Sequence, residues 1–143
     1  MLGFFNKEKR KIDAAVEASI ELLQSQITSS SASTNAEYNH RLADLYSRGY
    51  IFGICDCLLQ SAGVNDDEKG MSLLTSIYIK LFGEENGINM FRQSLDDQGE
   101  PRFAQGLMLG GQEARIFISS KEPVTGLANY LLNGEDNLGL GAI

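Results

Sequence analysis

The chain has 143 residues, 43% of them hydrophobic and 22% charged, with a net charge of −7. That is the size and balance of one globular domain with a single core, and no apolar run approaches the roughly 20 residues that a membrane-spanning helix needs. The charge is uneven: Lys7, Lys9, Arg10 and Lys11 against Glu8 make the first 11 residues +3 and leave −10 for the rest. An acidic body repels nucleic-acid phosphates, so nucleic acid is disfavoured as a partner. Leu2, Phe4 and Phe5 are too few for a secretory signal, and the basic residues follow them where a signal peptide has them in front, so a cytoplasmic protein is expected. A frayed terminus over residues 1–6 is the simplest reading of this opening. Contact of residues 1–11 with an anionic membrane surface is the weaker alternative, since such anchors need a second signal.

From Lys7 to Thr28 the residues Ile12, Val16, Ile20, Leu23 and Ile27 recur at three and four, which predicts one amphipathic helix. A serine-rich connector over 29–34 follows, with Thr34 or Asn35 placed to cap the next helix. That second helix is expected over about 36–62. Its first half is amphipathic through Tyr38, Leu42 and Leu45, while Ile51, Phe52, Ile54, Leu58 and Leu59 surround its second half. A helix apolar on all sides must be wrapped by others, so it marks the centre of the fold.

Gly63 suits a helix end, and Asn65 with Glu68 resembles a capping box opening a third helix whose stripe is Met71, Leu74, Ile77, Tyr78 and Leu81. A shorter helix over about 85–95 follows, and 96–101 is a turn by composition. Pro101 fits the first position of a helix reaching about residue 119, unless Gly110-Gly111 breaks it. The last helix is expected from Pro123 to near Gly134, before a glycine-rich, mobile tail over 134–143. Gly49 and Gly53 on the central helix, and Gly106 and Gly110 on the helix from Pro101, share a four-residue spacing of small residues. We therefore expect those two helices to be packed neighbours. The predicted architecture is all-α, a compact single-domain bundle of five to seven helices.

Few residues carry recognisable chemistry. Asp56 shares a helical face with Leu42, Leu45, Gly49, Phe52 and Gly53, so it is expected to point into the core or a crevice. A buried carboxylate must be satisfied, either by a structural partner such as Arg92, Arg102 or Arg115 or by a ligand. The acidic turn at Asp66, Asp67 and Glu68 does not follow the calcium-loop pattern, because Lys69 and Ser76 stand where ligands are required. Its carboxylates suit a helix N-terminus. Cys55 and Cys57, two apart on a helix, point in separate directions and read as reduced thiols. His40 lies on a polar face with no catalytic or zinc context, and no cofactor is implied.

The run Ala62-Gly-Val64, the acids Asp66 to Glu68 and the helix ending Leu81-Phe-Gly83 resemble the helix-turn-helix of the tellurite-resistance TerB-like family. The resemblance spans residues 61–83, with Ala62 where the family carries an aspartate. It implies an all-helical, stress-related module, with Asp66, Asp67 and Glu68 as the positions that would carry over as metal ligands. The residues themselves favour a small non-enzymatic interaction or accessory protein, bound to a protein partner or to itself as a homodimer through the helix-one stripe. A ligand- or metal-binding module using Asp56 or the acidic turn is the alternative.

Overall fold

The computed structural model describes residues 2–30 and 36–134, with side chains over 6–30 and 37–134. The chain forms α1 (Leu2–Ser30), α2 (Ala36–Ala43), α3 (Leu45–Ser61), α4 (Asp67–Phe82), α5 (Glu84–Asp96), α6 (Pro101–Ser120) and α7 (Gly126–Asn133). Among the described residues the fold is all-α. The helix α3 stands at its centre and touches each of the other six.

The helix expected over 36–62 is two helices, split at Asp44. Asp44 leaves the helical region with φ −81 and ψ 173, and its carboxylate accepts the Ser47 amide at 3.0 Å as the N-cap of α3. The exposed carbonyls at the end of α2 are then taken up from α3, where the Ser47 hydroxyl donates to the Arg41 carbonyl and Arg48 Nε donates to that of Ala43. An aspartate with a serine three residues on is a capping geometry that competes with helix continuation. The chain can turn there because these bonds take up the Arg41 and Ala43 carbonyls and the Ser47 amide.

Other boundaries differ from the sequence expectation for similarly local reasons. Helix α1 begins at Leu2, so the segment expected to fray is helical, and it runs on through Ser29 and Ser30. The Ser30 hydroxyl donates to the Gln26 carbonyl at 2.8 Å, which lets a serine stay in a helix. The proposed caps Thr34 and Asn35, the rest of the connector and the tail over 135–143 lie outside the described residues. The Asn65–Glu68 capping box does not form; Asp66 is the N-cap of α4 without a side-chain bond. Helix α7 begins at Gly126 rather than Pro123. Helix α6 is unbroken through Gly110-Gly111.

Helices α3 and α6 lie backbone against backbone. A Cβ on Gly49 would fall on the Phe103 carbonyl oxygen, and one on Gly53 would fall on that of Leu107. From the other side, a Cβ on Gly106 would strike the Tyr46 carbonyl and one on Gly110 the Tyr50 carbonyl. Any side chain at these four positions would force the axes apart. Helix α1 packs on its own bundle, burying Ile12, Ala15, Leu22 and Leu23.

Buried polar groups tie the short helices down. Glu113 on α6 accepts the Tyr50 hydroxyl and, at 2.9 Å, the first amide of α7 at Gly126. Gln26 on α1 donates to the Tyr50 hydroxyl at 3.0 Å and accepts the Ala128 amide at 3.0 Å. At the other end of α7, Arg41 donates to the Leu131 carbonyl at 3.0 Å and the Tyr130 hydroxyl donates to Asp44. Arg48 and Asp97, 2.7 Å apart, link α3 to the turn after α5.

The glycine contact makes a mutational test direct. Gly110→Ala is expected to cost about 1–3 kcal/mol and Gly110→Leu more, because the obstacle is backbone and not a flexible side chain. Gly99→Ala, at a glycine with open space around it, serves as the neutral control in urea melts.

Alkali supplies a second test. Burial raises the Cys55 thiol to about 12 and pushes the Tyr50, Tyr78 and Tyr130 phenols far above their usual range; Glu113 adds to this at Tyr50 and Asp44 at Tyr130. These groups bind protons more tightly when folded, so their contribution is fully present below their unfolded pKa values and is lost as pH rises towards the folded ones. Stability should therefore begin to fall near pH 9. The three phenolate absorbances should appear together with unfolding, not before it.

Candidate docking face

Among the described residues, one side of the central helix is uncovered. Helices α4 and α6 stand on either side of α3 and leave between them a strip of Phe52, Gly53, Asp56, Cys57 and Gln60. The strip is the ridge between two open grooves that share Asp56 and Gln60. The α4 groove has a volume of about 490 Å³ and an apolar floor of Phe52, Leu59, Val64 and Leu74, with Met71, Asp66 and Asp67 at its rim. The α6 groove, of about 520 Å³, is formed by Cys57, Ala104, Leu107, Met108, Gly111 and Arg115. Met71 and Met108 flank the pair, 43% and 65% exposed.

Asp56 is thus not buried in the core, as its helical face led us to expect. It is half-exposed on the ridge and accepts a 3.0 Å hydrogen bond from Gln60 Nε2, one turn on in the same helix. The arginines considered as its partners are engaged elsewhere or stand apart. Arg102 lies 4.7 Å from the centre of the Tyr46 ring and bonds Gln105. Arg115 lines the α6 groove with its Nε on the Gly111 carbonyl, and Arg92 is exposed on α5. The face inferred from Leu42 and Leu45 was drawn through Asp44, where the helix stops. Past that break, α3 keeps its own register, and the side of Phe52 and Asp56 is left part-exposed beside the glycine contact.

The carboxylates of the acidic turn are exposed at the start of α4, with Asp66 and Asp67 turned to the groove and Glu68 outside its lining. Among the described residues no three His, Cys, Asp or Glu side chains converge as metal ligands. Gly49, Gly53, Gly106 and Gly110 all sit in the α3–α6 seam, and Gly53 also borders the α6 groove. His40 is exposed on α2. Cys55 is buried and held as the thiol by its raised pKa, whereas Cys57 is half-buried beside the ridge; neither forms a disulfide.

Sequence reasoning did not single out Met108 or Gln60, which shape this face with Arg115, nor Glu113 and Gln26, which organise the interior. For the face a signal existed. Asp56 and Gln60, four apart, are the polar pair in the stretch from Ile51 to Gln60 that is otherwise apolar around its circumference. Glu113 gave none, because its partners come from residues 50 and 126.

The arrangement is an open, apolar surface with a short polar ridge and adaptable methionines at both edges, suited to receive a protein segment. No protein-family model matches the chain, and neither a curated protein nor a solved structure matches it.

The geometry separates two aspartates of this region. Asp44→Ala removes the α3 cap and the acceptor of the Tyr130 hydroxyl, and should cost about 1–3 kcal/mol. Asp56→Ala loses only an exposed bond to Gln60 and should change stability little. Equal or inverted losses in thermal and urea melts would show that the Asp44 junction does not hold α2, α3 and α7 as described.

Proposed function

We propose that the protein is a non-enzymatic interaction protein that takes up a segment of another polypeptide, or of another copy of itself, across the ridge of Asp56 and Gln60. The observation that carries this reading is the uncovered side of α3. A helix that every other helix packs against would ordinarily be enclosed, yet here it presents Phe52, Cys57 and two grooves to solvent between exposed Met71 and Met108. Exposed apolar surface of this kind, rimmed by polar groups, is characteristic of interaction sites. Two free cysteines suit a reducing compartment, which supports a cytoplasmic setting.

A second reading, a ligand-binding module of the TerB-like kind, is favoured by the single fact that Asp56 lies in the grooves. It places a carboxylate beside an apolar floor, as a site for a small cationic ligand would.

Photo-crosslinking separates the two. A benzophenone side chain introduced at Met71 or at Met108 and irradiated in cells should give adducts heavier by the mass of a polypeptide, and the same group at exposed Gln98 should not. Adducts of small-molecule mass would favour the ligand reading. An absence of adducts from both methionine positions would remove the docking face.

A further inference from the structure

The face around the ridge carries both halves of a charge pair that it does not satisfy by itself. Its α4 wall holds Asp66 and Asp67, Asp56 stands on the ridge, and no lysine or arginine lines the α4 groove. Its α6 wall holds Arg115, which is exposed, bonds the Gly111 carbonyl of its own helix at 3.4 Å and pairs with no carboxylate among the described residues. Ala104, Met108, Gly111 and Arg115 follow one another along α6 at intervals of four, three and four, so that wall is a single row with exposed Met108 within it.

The glycine seam fixes where these groups stand along the face. Gly49 meets Phe103, and Gly53 meets Leu107 and Gly111, so α3 and α6 run in the same direction. Arg115 is therefore level with Gln60, at the end of the face where Asp66 and Asp67 open α4 beside the same Gln60. Met108 lies two turns back from Arg115. Met71 lies one turn on from Asp67, in a helix that returns past Phe52 through Leu74. Acid and base thus share one height and are separated only across the ridge.

That arrangement selects one way of laying the face on its copy. A two-fold axis crossing α3 would set each wall on its own counterpart, and Arg115 would never meet the acids. An axis along α3 exchanges the walls and keeps the height, which brings Arg115 of each copy to the α4 side of the other. Each ridge then needs a groove to enter. Entry into the α4 groove would place Asp56 among three like charges, whereas entry into the α6 groove brings it beside Arg115.

We propose that the face is closed by a second copy of the chain, related by a two-fold axis that runs along α3 between the ridge and the α6 groove. The α6 row of each copy enters the α4 groove of the other, with Met108 on the apolar floor of Phe52 and Leu74 and Arg115 among Asp56, Asp66 and Asp67. The ridge of each copy lies in the α6 groove of the other. All these surfaces belong to one face, so both contacts form together and repeat each other, as an isologous dimer requires. The apolar cover and the adaptable methionines hold the complex, and the charges fix its offset. This inference rests on the docking reading of the uncovered face and names its occupant.

Charge exchange tests it on the full chain. One variant is Arg115→Glu and the other combines Asp66→Lys with Asp67→Lys; all three positions are exposed, and circular dichroism checks that each variant is folded. In sedimentation the natural chain should dimerise, more weakly at high salt. Each variant alone should dimerise at least about tenfold more weakly, since like charges are then juxtaposed. An equimolar mixture of the two should regain the dimer, because one contact of the heterodimer joins the two reversed sites and the other joins the two natural ones. A benzophenone side chain at Met108, irradiated in the purified chain, should give an adduct of twice the chain's mass whose link maps to α4. A natural chain that stays monomeric, a dimer indifferent to either reversal, or a mixture that does not recover would each overturn the proposal. So would a link from Met108 to α6 of the second copy, which would mean that walls meet their own counterparts, or an adduct at unchanged mass, which would mean that the chain covers its own face. Adducts to a different polypeptide with the chain monomeric would overturn this occupant and leave the docking face standing, whereas no adducts from Met71 or Met108 in cells would remove both.

Discussion

The bundle depends on the approach of α3 to α6, in which four missing side chains let two backbones touch. Gly49 and Gly53 accept the carbonyls of Phe103 and Leu107 into the space a Cβ would fill, and Gly106 and Gly110 do the same for Tyr46 and Tyr50. Each of these glycines costs its helix roughly 1 kcal/mol relative to alanine. The cost is offset by close-packed backbone and by what the contact positions. Tyr46 and Tyr50 are fixed on α3 within reach of α6 and α7, Tyr46 against the Tyr130 ring at 4.5 Å and Tyr50 against Glu113.

From that seam the smaller helices follow. Helices α2 and α7 have eight residues each, too few to persist on their own propensity. Their ends are instead closed by side chains of the larger helices: Glu113 and Gln26 on the first amides of α7, Arg48 and Ser47 on the last carbonyls of α2. Tyr50 links these systems, with its hydroxyl between Gln26 and Glu113. Were α6 further from α3, Glu113 could not meet both Tyr50 and Gly126. A packing decision made by glycines is thereby transmitted through Tyr50 and Glu113 to α7.

What the sequence made legible divides along the range of the interaction. The helix periods of α1, α4 and α6 could be read, as could the stop at Gly83 and the start at Pro101, because each rests on residues within a turn or two of each other. The glycine spacing was also legible, since a strip of small residues at intervals of four has few structural uses. The break at Asp44 was missed although its capping residues are local: the apolar pattern runs through it unbroken, and periodicity cannot tell a continued helix from one that turns and resumes. Asp56 was misplaced for a related reason. A helical wheel shows which residues share a face, but whether another helix covers that face is decided by tertiary packing. The Gln26–Tyr50–Glu113 network joins residues far apart in the chain and left no local trace.

The same seam also explains why α3 has an open side. With no side chains between the axes, α6 sits so close that its next row, Ala104, Leu107 and Met108, stands beside α3 and walls a groove instead of reaching over it. On the opposite flank α4 packs inward through Leu74, Ile77 and Tyr78 and leaves Met71 and its N-terminal acids at the rim. Two helices that cling to the sides of a third cannot also cover its top. The uncovered strip therefore follows from the packing rather than from a gap in it. Its residues differ from the rest of α3 in the way such a position requires: Phe52 and Cys57 supply apolar surface, and Asp56 and Gln60 keep that surface wet enough to be tolerated when nothing is bound.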